Sequence, residues 1–177
     1  MPRAVLAAAL AALSLASCDE ALGPAPTAAF AGASAALPPV CGLADSQLGP
    51  LVETRAGYAV HDTAPGSTEA RPHHITGFAD GCARSVTAAL VMFGDLATHE
   101  VTRYEAPEGA YSPVDAAYER IKAQACGAAP GQPCGADLDQ LARDTVFVSA
   151  YPVFGEEAHR DLLLHQGEVV AADPPPS

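Results

Sequence analysis

His61, His73, His74, His99, His159 and His165 are the side chains of this sequence best suited to hold a transition metal or to move a proton near neutral pH. Two rings chelate together from one segment when they share a face, at a spacing of four on a helix or two on a strand. Neither H-x-x-x-H nor H-E-x-x-H occurs. His73 and His74 are adjacent, so a strand sends them to opposite faces. A metal centre therefore requires His99, with Glu100 beside it, to meet one of that pair through the fold.

Other catalytic constellations are equally sparse. There is no G-x-S-x-G, and the nearest approach, Gly32-Ala33-Ser34, falls in a segment of small residues and prolines that cannot hold a triad rigid. Asp137 and Asp139 lie two apart, hence on different sides of a helix, and no D-x-D-x-D-G calcium loop is present. The sequence thus reads as a non-enzymatic binding or structural module, with no catalytic residue, metal or cofactor assigned. The alternative is a small envelope hydrolase or metal-binding protein that uses His73, His74 or His99.

The amino end carries a different chemistry. Arg3 is the one charge before residues 4–16, which contain no ionisable side chain. That run is shorter than the roughly twenty apolar residues of a spanning helix. A basic start, a short apolar middle and small residues form the layout of a secretory signal. Leu15-Ala16-Ser17-Cys18 resembles the lipobox of bacterial lipoprotein precursors, in which an aliphatic residue and two small ones precede the cysteine. The resemblance implies a signal peptide over 1–17, cleavage before Cys18, diacylglycerol on its thiol and often a third acyl chain, such as palmitate, on the new amino end. The other reading of the segment is an ordinary secretory signal cut elsewhere, with Cys18 left as a thiol. Each buried CH₂ contributes about 0.8 kcal/mol, so two or three chains hold a protein on a membrane where one does not. Asp19 follows directly, and an aspartate there resembles the retention signal of enteric inner-membrane lipoproteins, which favours the inner membrane and a domain facing the periplasm.

With Cys18 assigned to lipid, Cys41, Cys82, Cys126 and Cys134 remain. An even count in an exported chain reads as two disulfides with three possible pairings. No C-x-x-C is present, and seven residues separate Cys126 from Cys134, which fits neither a zinc ribbon nor a thioredoxin-like site. Closeness in sequence, and a helix ending near Cys126, favour Cys126 with Cys134 and so Cys41 with Cys82.

The formal charge is −12, and loss of Arg3 with the signal peptide makes the remainder one unit more negative. Such an acidic body lacks the Lys and Arg clusters that release counterions from phosphate backbones, which argues against nucleic acid as a partner. It is not drawn to anionic headgroups either, so the anchor on Cys18 must supply the membrane contact and another envelope protein is the expected partner.

Residues 18–40 form the lipidated cysteine and an Ala/Pro-rich tether; its Asp19–Val40 stretch would span roughly 25 Å as a flexible coil. Residues 41–173 suit one compact domain, and 174–177 read as a disordered tail. Ser112 as cap, Pro113 in the first turn and Gly127 as a left-handed stop predict a helix over 113–126. Val114, Ala117, Tyr118, Ile121 and Ala125 form its inward stripe, with Glu119, Arg120 and Lys122 outward. Further helices are expected over 95–105, capped by Asp95, and over 136–143. Residues 74–78 and 83–94 read as a hairpin around Asp80-Gly81, 145–151 as a buried strand, and 161–165 with 168–172 as a closing hairpin around Gln166-Gly167. The expected fold class is α+β: a single small disulfide-stapled domain, a mainly antiparallel sheet covered on one face by two or three helices.

Overall fold

The computed structural model describes residues 37–105 and 111–176. The signal peptide 1–17, Cys18, Asp19, the tether as far as residue 36, and Ser177 lie outside the described residues. Among the described residues, no helix is long and apolar enough to cross a membrane.

The domain is α+β, with two antiparallel sheets, four α-helices and two disulfides among the described residues. In chain order the elements are β1 (Pro39–Val40), α1 (Asp45–Leu48), β2 (Leu51–Arg55), β3 (Tyr58–Asp62), β4 (Arg71–Thr76), β5 (Ala83–Ala88) and β6 (Leu90–Gly94). Then follow α2 (Leu96–Glu105), α3 (Pro113–Cys126), α4 (Leu138–Leu141), β7 (Thr145–Tyr151), β8 (Arg160–His165) and β9 (Glu168–Ala172). The first sheet has the order β1-β5-β4-β3-β2 and the second β6-β7-β8-β9.

Sequence predicts one sheet covered on one face; the protein instead builds three layers, with the second sheet in the middle. Leu162 and Leu164 join Val146, Val148 and Val91 in a core facing Tyr58, Val60, Ile75 and Val86 of the first sheet. Leu163 and Phe147 point the other way, into a second core with Val114, Ala117, Tyr118 and Ile121 of α3. All three leucines are fully buried. A strand covered on both faces loses the polar alternation and reads as a continuous apolar run, which is the form of 146–148 and 162–164. In β9 a register shift lets Val170 and Ala171 both face the helices, while Val169 faces the other sheet.

The predicted second arm over 83–94 is two strands in different sheets, separated at Ala89. That corner is clamped twice: Ala89 N donates to Tyr151 O at 2.8 Å, and Arg71 Nη1 donates to Ala89 O at 2.7 Å. The β2–β3 hairpin has no counterpart in the sequence reading. Its turn places Ala56 and Gly57 at φ of 52° and 82°, the positive values a tight reversal demands. Gly77 closes on this hairpin so tightly that a Cβ there would lie 2.3 Å from Gly57 O.

Helix α3 forms where predicted: Ser112 Oγ accepts from Asp115 N at 3.0 Å, Asp115 Oδ2 accepts from Ser112 N at 3.1 Å, and Gly127 takes the left-handed stop at φ 63°. Asp95 caps α2 through Thr98 N at 2.9 Å. The helix expected over 136–143 is shorter: a 3₁₀ turn Gly135–Asp137 leads into α4. Both bridges have the favoured pairing, Cys41 with Cys82 and Cys126 with Cys134, at Cα separations of 4.4 and 5.4 Å. The packed structure begins inside the segment read as tether, because Leu37 is 2% exposed and β1 pairs with β5.

Candidate functional site

The six histidines are spread over several places in the fold, with His61 and His74 side by side. His73 lies on the inner face of the first sheet, with Nε2 3.6 Å from Asp62 Oδ2 and Nδ1 3.2 Å from Arg71 O. Arg71 grips the same carboxylate through Nε at 2.7 Å and Nη2 at 2.5 Å. The Arg71 hydrogen bonds hold the Asp62 carboxyl below the usual range against the effect of burial. Burial pushes His73 down, so the neutral ring is favoured. This group secures the Ala89 corner.

His74 faces the opposite way, 2.8 Å from Ser85 Oγ through Nδ1. Its cross-strand neighbour on that face is His61, whose Nδ1 contacts Gly49 O at 3.1 Å. Burial, and then His61, lower the His74 pKa. A serine next to a histidine is a nucleophile only when a third group orients the base. The group beside His74 is another imidazole rather than a carboxylate, and the pair stays a hydrogen bond across strands.

His99 belongs to the second core. Its ring stacks on Phe147 at 4.0 Å, edges onto Tyr118 at 5.1 Å, and sets Nε2 3.4 Å from Asp115 Oδ1. The second sheet separates this core from the one holding His73, so His99 meets neither His73 nor His74. Burial depresses its pKa, opposed by Asp115 and Asp161. Near the start of β8, Ser149 Oγ donates to Asp161 Oδ1 at 2.6 Å and His159 Nε2 lies 3.6 Å from Asp161 Oδ2. Here the acid stands between hydroxyl and imidazole, which is the wrong order for activating a nucleophile. Among the described residues, no three His, Cys, Asp or Glu side chains come together to hold a metal ion.

Lys122, predicted outward on α3, is fully buried. It sits one turn beyond Tyr118 at the border of the apolar stripe, where Glu119, 2.8 Å from its ammonium, and the Tyr104 hydroxyl partner it. Burial raises the Glu119 carboxyl, but bonds from Lys122, Tyr104 and Gly131 N outweigh it and hold it below the usual range. Glu100, also buried, accepts from Tyr118 OH at 2.8 Å and Cys134 N at 3.0 Å. These bonds fasten the Cys126–Cys134 loop to the helices. Nothing local in the sequence marks Lys122 or Glu100 as buried, since both partners arrive through tertiary structure.

The surface left open lies on the second sheet. Helix α3 covers β8 and β9 and His99 of α2 stacks on Phe147 of β7, but beyond Phe147 the same face of β6 and β7 is open. Leu90 pairs with Tyr151 and Met92 with Ser149, so these side chains share that face. Leu90 and Met92 are 37% and 43% exposed, and Phe154 from the β7–β8 connection is 55% exposed. With Tyr151 and His159 they line a groove of about 540 Å³ rimmed by Glu156 and Glu157. At the neighbouring edge, Glu53 of β2 accepts from Phe93 N at 3.3 Å, and Arg55 lies 3.6 Å from Asp95. Exposed Leu51 and Val52 stand on the same edge strand as Glu53.

No protein-family model matches this chain, and neither the curated proteins nor the solved structures compared with it give a match.

Proposed function

We propose that this protein is a lipid-anchored envelope lipoprotein, held on the membrane through Cys18 with its domain facing the periplasm, and that the domain is a non-enzymatic module docking another envelope protein. The observation that carries the binding reading is the uncovered sheet face bearing Leu90, Met92, Tyr151 and Phe154. Clustered apolar groups with a polar rim mark a contact surface, whereas scattered ones need no explanation. The rim residues Glu156 and Glu157, on a chain of net charge −12, select a partner segment with apolar anchors and flanking Lys or Arg. A second copy brings the same negative charge, and an anionic membrane surface is repelled.

The alternative, an envelope hydrolase or metal-binding protein using His73, His74 or His99, draws no support from three rings with separate partners. Photo-crosslinking in cells tests the binding reading. A photoreactive side chain at Met92 should give one discrete protein adduct that is lost on Leu90→Glu and never formed from Thr68, an exposed position on the β3–β4 connection. If Met92 yields no adduct, or Thr68 yields the same one, the docking surface is wrong. Acyl-labelled chain that disappears with Cys18→Ser supports the anchor; full retention of that variant in carbonate-washed membranes refutes it.

A further inference from the structure

At the opposite edge of the second sheet from β6, the end of α3, α4 and the β8–β9 hairpin enclose a cleft of about 430 Å³. A volume of that order is typical of small-molecule sites. Its floor is apolar and buried, made by Ile121, Leu141 and Val170. Around that floor stand His165, Asp144 and Glu168, with glutamine amides completing the wall.

Hydrogen-bond polarity fixes what His165 offers. Thr145 Oγ1 donates to Asp144 Oδ1 at 3.1 Å, so its only proton is committed there. The same oxygen lies 2.7 Å from His165 Nδ1, which is also 3.6 Å from Asp144 Oδ1, and this pair of acceptors beside Nδ1 favours the proton there. Nε2 is left with a lone pair, on the ring edge turned away from Thr145. Burial lowers the pKa of His165 against the pull of Asp144 and Glu168, consistent with a neutral ring. The cleft thus gathers an imidazole and two carboxylates around a hydrocarbon floor, and among the described residues neither Lys nor Arg lines it.

We propose that this cleft binds a small organic cation, an alkylammonium or alkylguanidinium group held by Asp144, Glu168 and His165 Nε2, with its hydrocarbon portion on Ile121, Leu141 and Val170. A bare metal ion fits poorly, because the floor supplies no ligand and no three metal-binding side chains converge among the described residues. The site is independent of the docking face on β6, so either can fail alone.

Calorimetric titration of the intact, disulfide-bonded protein with agmatine and cadaverine is the test, with pentanediol and glutarate as neutral and anionic counterparts. Saturable binding of both cations, with neither counterpart bound, is expected. Glu168→Gln, at an exposed position beside the turn, should weaken binding by about tenfold, and Asp144→Asn with it by more. In nitrogen NMR, agmatine should move the His165 Nε2 resonance while Nδ1 keeps its proton. The proposal is overturned if neither cation binds at about 10 mM, a concentration that detects even millimolar affinity. Equal binding of pentanediol, undiminished affinity in the double variant, or an unmoved Nε2 resonance overturns it as well, the last two by showing only diffuse attraction to an acidic protein.

Discussion

Lys122 Nζ lies 2.8 Å from Glu119 Oε2, three residues earlier on the same helix, and the lysine has no exposure to solvent. Removing one member of a buried ion pair strands the other and typically costs about 3–5 kcal/mol, whereas replacing both with apolar groups is often neutral. Lys122→Met should therefore lower the unfolding free energy by roughly 3 kcal/mol. Adding Glu119→Leu should restore part of that loss, less the bond Glu119 makes to Gly131 N. Urea denaturation of the single and double variants measures both, and a native-like single variant would show that the pair contributes nothing.

Stability should fall as pH drops from about 7.5 to 5.5. Burial pushes His73, His74, His99 and His165 below the ordinary histidine value. The unfolded chain, titrating near 6.5, then takes up protons that the folded chain resists. A depressed histidine contributes stability that is present above the unfolded value and lost as pH falls towards the folded one. Asp62, a depressed carboxylate, loses its contribution only at far lower pH and stays out of this window. Melting temperatures across the range, with His74→Gln giving a shallower slope, check the sign. A flat or rising profile would contradict it.

The two disulfides should differ in importance. By loop-closure entropy a bridge spanning 41 residues contributes about 3.9 kcal/mol and one spanning 8 about 2.5. The short loop also has independent fasteners, since Glu100 accepts from Cys134 N and Glu119 from Gly131 N. Cys41→Ser with Cys82→Ser should consequently lower the melting temperature more than Cys126→Ser with Cys134→Ser. Calorimetry of the two double variants decides the order.

Leu162 and Leu163 face opposite cores, yet both are sealed. Each changed to Ala should cost about 2–5 kcal/mol. In a sheet covered on one face, only one of the two substitutions would be expensive. Comparable losses in denaturant titrations are expected from the three-layer arrangement.

Much of this fold is legible in the sequence wherever the signal is local. Ser112, Pro113 and Gly127 delimit α3 within one stretch, and Gln166-Gly167 marks the turn of the last hairpin. The β2–β3 hairpin escapes because alanine seldom takes the positive φ that Ala56 adopts. In addition β2 is an edge strand with no buried residue, so it shows no alternation to read. The passage from one sheet to the other at Ala89 is set by Arg71 and Tyr151, both remote in the chain. The cleft was hidden for the same reason: Thr145 and His165 are twenty residues apart and meet only when β7 pairs with β8. His73, His74 and His99 offer ligand chemistry in the sequence, and the layers keep His99 apart from the other two.

Cys41 follows β1 immediately and is bolted to Cys82, next to the start of β5. Any tension arriving along the polypeptide from before Leu37 is passed by this covalent link into β5, one strand inside the edge of its sheet. A pull from that end can peel the two residues of β1, but the peeling stops at the bond, where the load enters β5 and its ladder with β4; reducing that one bond removes the stop.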